Sequence, residues 1–248
     1  MIAEIRAELI KQRSTRTLVL TFAAMVALIS LAMVVHAFGL PVAMLGPREN
    51  QLMVLGVGER LSVLFGAMFG AMVVTVEFRH GTIRPTLLAA PKRSRLIAAK
   101  VLVAGVVGAI FALAGSTLAL VLGQALLGSR GIGLALTDTD LWTLVLGAGV
   151  GGCLWATIGV GLGALGRNQV PVLIGISAWL LFVETLLVEE NSSAVEIGRF
   201  APGAAAAAIA GMGGDTLLPP GAALVVLVVY AVAAVGAGWL AFERRDVH

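Results

Sequence analysis

Residues Glu77 to Lys100 read EFRHGTIRPTLLAAPKRSRLIAAK, and the reading of this stretch decides the fold. It carries Arg79, Arg84, Lys92, Arg93, Arg95 and Lys100, six of the chain's 17 basic residues. Long apolar runs flank it on both sides. A charged segment between two such runs reads as a loop in water joining two membrane spans, and its excess of Lys and Arg places it on the cytosolic side. Gly81 permits a break after the preceding span. Thr82 can cap a short helix, and Pro85 falls in its first turn, where a missing N–H does no harm. Pro91 prevents continuation. The pattern predicts a helix over about Ile83 to Ala90 with Ile83 and Leu87 on one face and Leu88 beside them. Such a peg fits a groove on a partner protein; the alternative is an interfacial helix that only touches lipid headgroups. Arg93 and Arg95 suit either reading.

Composition sets the same frame. Of 248 residues 59% are hydrophobic and 12% charged, against about a quarter charged in soluble domains. Lipid must therefore solvate part of the chain. The net charge of +3 gives no sign of nucleic-acid binding. The one cysteine, Cys153, excludes an intramolecular disulfide and a cysteine metal cage, and reads as a small packed residue.

Working outward, residues 1–16 form a leader. Ile2, Ile5 and Leu9 share one helical face and Glu4, Glu8 and Lys11 the other, as in an amphipathic helix in the headgroup layer; a frayed basic leader is the alternative. Spans are expected at 17–38, 61–78, 96–127, 141–165, 170–188 and 221–242. The first is too long for a cleavable signal peptide and should persist. Glu59 and Arg60 stand at the outer mouth of the second span, either as a gate or paired group or as solvated interfacial charges. Gly66 and Gly70, Gly147 and Gly151, and Gly159 and Gly163 are small residues four apart, a spacing that lets helix backbones approach in lipid. Residues 189–220, broken by Pro202, Gly203, Gly211, Gly213, Gly214, Pro219 and Pro220, read as short helices at or dipping into the outer face. With both termini in the cytosol, thirteen Lys and Arg fall inside and four outside, a strong orientation signal. The chain reads as one all-α integral membrane domain without internal repeat.

Catalytic constellations are not expected. No G-x-x-x-x-G-K-[ST] occurs, and Lys11, Lys92 and Lys100 do not follow glycine, so the chain builds no P-loop of its own. His36, His80 and His248 are dispersed, and a metal site is not expected. Glu184 is the one acid well inside an apolar run. It reads as a contact for a cationic substrate, part of an outer gate, or a hydrated interfacial group.

Taken together, the stretch Glu77 to Lys100, the Arg167-Asn168 turn, Ala201-Pro202-Gly203-Ala204 and Arg244-Arg245-Asp246 resemble the permease subunit of ABC-2-type ABC exporters of bacteria. The resemblance spans nearly the whole chain, the loop being its most specific part. It implies six spans, an N-terminal connecting helix, a coupling helix at Thr82 to Ala90 and an outer re-entrant segment. It also implies a second permease, identical or paralogous, and two separate ATPase subunits that carry the ATP and Mg. Glu77, Arg79, Gly81, Thr82, Ile83, Arg84, Leu87, Leu88, Pro91, Arg93 and Arg95 would then serve ATPase coupling. Phe65, Met68, Phe69, Trp179 and Glu184 would line the path, with core or lipid-facing packing as the alternative for each apolar one. The implied cargo is hydrophobic or amphipathic, the implied location the bacterial cell membrane. The alternative function is a secondary transporter or channel that needs no ATP, which would need ionisable groups at mid-membrane.

Overall fold

The computed structural model describes residues 1–82, 93–189 and 197–244. The expected peg, with Ile83, Arg84, Leu87, Leu88 and Pro91, lies outside these residues, as do Arg245 and Asp246. All regular structure among the described residues is helical. The elements are α1 (Ile2–Ser14), α2 (Arg16–Gly39), α3 (Val42–Leu45), α4 (Arg48–Leu55), α5 (Val57–Arg79), α6 (Arg93–Ser129), α7 (Asp138–Gly166), α8 (Gln169–Ala178), a π-helical turn (Trp179–Val183), α9 (Glu184–Glu189), α10 (Pro202–Ile209) and α11 (Pro220–Arg244). Among the described residues six helical stretches are long and apolar enough to cross a membrane, as expected.

The second span differs in extent from the sequence reading. Arg48–Arg79 forms one helical run of 32 residues, not one that starts near Leu61. Gly56, at the junction of α4 and α5, keeps right-handed helical angles (φ −63°, ψ −13°), so the chain barely breaks there. Glu59 is thereby drawn inside the bundle, 2% exposed, while Arg60 stays exposed.

Spans two, three and four form the packed centre, with 67%, 56% and 67% of their apolar windows buried, against 22%, 17% and 22% for spans one, five and six. The peripheral spans leave apolar faces such as Val19, Leu20, Ile174, Phe182, Val225 and Val232 uncovered, as lipid-facing or partner-facing helices do. Glycine sets the tightness of the centre. A side chain at Gly70 would collide with the carbonyl of Ala156, and one at Gly159 with the carbonyl of Ala67. Gly66 and Gly163 extend this seam between α5 and α7. In the N-terminal half of α7, Gly147 and Gly151 receive Ile209 and Ala206 of α10 and Ala210 just after it. With no hydrophobic drive between helices inside lipid, such close backbone approach is what holds them together.

The loops are pinned by side chains. Arg48 makes a two-toothed ion pair with Asp140 (Nη2–Oδ1 2.6 Å, Nε–Oδ2 3.1 Å). Asp140 also completes a capping box with Thr137 at the start of α7. Buried Gln51 donates to the carbonyls of Leu45 (3.0 Å) and Gly133 (2.9 Å) and accepts from the amide of Ala135 (2.8 Å).

Candidate functional site

Two polar constructions stand at opposite ends of the bundle. The first joins α1 to the base of α5 and the start of α6, the helices that bracket residues 83–92. Glu8, Glu77 and Lys100 are each at most 3% exposed. Lys100 Nζ donates to Glu77 Oε1 (2.7 Å), to Glu8 Oε1 (3.2 Å) and to the carbonyl of Val73 (3.0 Å). Lys11 Nζ donates to Glu8 Oε2 (2.9 Å) and pairs with Glu77. Gln12 Nε2 adds a bond to Glu8 Oε1 at 3.0 Å. Two carboxylates meet two ammonium groups, so the buried charges cancel. Burial pushes the Glu8 carboxyl up, but the ammonium groups of Lys100 and Lys11 outweigh it and hold it below its usual range. Burial pulls the Lys11 ammonium down, and Glu77 and Glu8 more than restore it, so it lies above its usual value.

The sequence leaves open which face of α1 meets the protein. The polar face of α1, with Glu8 and Gln12 one turn apart, is the face packed against the protein. The apolar residues Ile2, Leu9 and Ile10 are the exposed ones (84%, 42% and 59%), free to meet a headgroup layer. Span two ends directly beyond this network. Gly81 adopts a left-handed φ of 68°, and the amides of Gly81 and Thr82 return to the carbonyls of Phe78 (3.3 Å) and Glu77 (3.0 Å). This is the glycine-closed helix end that leaves the last carbonyls satisfied. Arg79 reaches across to Gln169 at 3.2 Å, and Arg95 is exposed. At the next turn Arg167 donates to the carbonyl of Ala241 (2.9 Å) and lies over the ring of Phe78.

The second construction lies at the other end. The π-helical turn Trp179–Val183 closes with the amide of Glu184 bonded to the carbonyl of Trp179, five residues back. That spacing stacks Trp179 beside Glu184, and the indole N–H donates to Glu184 Oε1. The same carboxylate accepts the amides of Gly203 (Oε1, 2.9 Å) and Ala204 (Oε2, 3.0 Å). Glu184 is therefore the N-terminal cap of α10, supplied from another helix because Ala201 has no capping side chain. Trp155 of α7 donates to the carbonyl of Pro202 at 3.2 Å. At the far end, Gly211 (φ 75°) and Met212 return their amides to Ala208 (3.1 Å) and Ala207 (3.0 Å). Both ends of this short helix are thus fixed.

Beside α10 lies a cavity of about 640 Å³, lined among others by Arg60, Glu59, Val63, Leu180, Glu184 and Ala204. Its position brings Glu184 together with Glu59. Of the apolar residues proposed for the path, none lines this cavity. Phe69 is buried against Phe111 (ring centroids 5.8 Å), Phe65 and Met68 pack on the core, and Trp179 is 39% exposed. Sequence reading missed Glu8, Gln12 and Lys11 as a docking face. The available signal was the placement of Glu8 and Gln12 at i and i+4, on one face of the helix.

No curated protein matches this sequence. The sequence does match, over residues 4–184, the profile of the family described as ABC-2 family transporter protein. That match takes in the leader helix, the charged loop, the glycine seam and Glu184, and with the six apolar helices it places the chain in the ABC-2 family, as the multi-pass membrane permease of an ABC transporter.

Proposed function

We propose that this permease is the export path of an ATP-driven transporter in the bacterial cell membrane, with cytosolic termini, a second permease alongside and two separate ATPase subunits below. The observation that carries the reading is the buried network of Glu8, Lys11, Glu77 and Lys100. It ties the leader helix to both helices that bracket residues 83–92, the segment read as the ATPase-coupling peg. A push on that segment is then shared by α1, α5 and α6 as one body instead of bending a loose loop. α10 and Glu184 would act as an outer re-entrant gate, and the cargo would be hydrophobic or amphipathic.

A mild-detergent pull-down of the full chain from its host tests this. A stoichiometric P-loop ATPase with vanadate-sensitive hydrolysis supports it, and Leu87→Asp should lose that partner while the chain stays folded, because a charge enters an apolar contact. An ATPase-free oligomer, or partner retention by L87D, overturns it. One observation favours a secondary transporter instead: Glu59 is an ionisable group buried beside a cavity.

A further inference from the structure

Glu59 stands apart from the other acids of the bundle. It is 2% exposed, and its Oε1 has no hydrogen-bond partner. It forms no ion pair among the described residues, although Arg60 follows it, since neighbours on a helix point about 100° apart. It lines the outer cavity one turn from Val63, on the same face of α5. Two further acids line that cavity: Glu49, exposed at its rim beside Arg48 and Arg60, and Glu184, which has both oxygens committed to Trp179, Gly203 and Ala204. Of the two buried carboxylates in the cavity, Glu184 is thus spoken for and Glu59 is unsatisfied. A buried, unpaired acceptor is costly unless something supplies the donor.

We infer that Glu59 is the binding site for an organic ammonium group, whose apolar body occupies the cavity beside α10. An ammonium offers three N–H donors and a positive charge to a carboxylate. The walls are apolar on several sides, with Leu52, Val63, Leu180, Ala207 and Met212, which suits a hydrocarbon body. The volume falls within the about 300–1,000 Å³ of small-molecule sites. A bare metal cation fits poorly, because hard cations gather about six or more oxygens and the oxygens of Glu184 are already engaged. This names the class of the carried group and rests on the export reading only for calling it cargo. Binding itself needs no ATPase.

The test uses the purified full chain in nanodiscs of uncharged lipid. Calorimetric titration compares 1-adamantylammonium with 1-adamantanol, which matches it in shape without the charge. The expected result is at least tenfold tighter binding of the ammonium, with Glu59→Gln abolishing the difference and leaving the alcohol's affinity unchanged. A second measurement needs no variant. Dicyclohexylcarbodiimide adds to buried carboxyl groups to leave an N-acylurea that peptide mass spectrometry locates. Glu59 should be labelled, and 1-adamantylammonium should protect it while sodium chloride at equal ionic strength does not. Discrimination retained by E59Q, an unlabelled Glu59, or equal protection by sodium overturns the inference. Any of these leaves ATPase co-purification standing as a separate question, and sodium protection supports the secondary-transporter reading.

Discussion

Lys100 Nζ stands 2.7 Å from Glu77 Oε1, and the two residues are the ends of the charged stretch that separates spans two and three. The segment between them is therefore closed at its base by a buried ion pair. Glu8 of α1 shares Lys100 at 3.2 Å, so the closure includes the leader helix.

Lys100→Met should lower the thermal midpoint in detergent strongly. Removing one partner of a buried ionic group costs about 3–5 kcal/mol, since the remaining charge stays desolvated. Adding Glu77→Leu to it should recover part of the loss, because Glu8 keeps Lys11 and Gln12 as partners. A double variant no more stable than the single one would show that the pair is not the source.

The same network predicts a stability profile with two limbs. Glu8 is held below its ordinary value of 4.5, so its stabilisation is present above that value and lost as pH falls through the depressed one. Lys11 is held above its ordinary 10.5, so its stabilisation is full below that value and lost as pH rises through the raised one. Midpoints measured against pH should fall at both extremes. Glu8→Gln should flatten the acid limb and Lys11→Met the alkaline limb; an acid limb unchanged in E8Q would assign it to other carboxylates.

Gly70→Ala should destabilise the bundle by about 1–3 kcal/mol, the usual cost of overpacking, because the new methyl group meets the fixed carbonyl of Ala156. Gly236→Ala is the control. Its side chain would enter open space, and alanine is favoured over glycine inside a helix by about 0.5–1 kcal/mol. Thermal melts of both should move in opposite directions.

Glu184→Gln replaces one accepting oxygen by an NH₂ that faces an amide donor. Hydrogen exchange at Gly203 and Ala204 should accelerate, reflecting a loss of about 1–3 kcal/mol for an unmatched buried group. The emission of Trp179, whose indole N–H bonds to Glu184, should shift as well. Unchanged exchange at these two amides would remove the capping role.

The legible part of this protein was what depends on local order in the chain. Six apolar runs, the break at Gly81 and the helix over residues 2–14 follow from hydropathy and from glycine's tolerance of left-handed angles. Glycines four apart marked close-packed faces, but not that α7 turns one pair toward α5 and another toward α10. The chemistry was less legible. Glu184 stood out as an acid in an apolar run, yet its partners are amides 19 and 20 residues away. Glu59 looked like a charge at a helix mouth because the second span was expected to begin near Leu61, whereas the helical run starts at Arg48.

Local order in the chain, then, was enough to set lipid as the solvent and to mark six apolar helices long enough to cross it, since transfer energies act residue by residue. Tertiary structure alone decided which face of α1 is buried and which buried carboxylates find donors or ion pairs. Those depend on distances between residues far apart in the chain: Lys100 must arrive beside Glu8 before the polar face of α1 becomes its docking face, and α10 must reach Glu184 before that carboxylate is satisfied while Glu59, in the same cavity, is not.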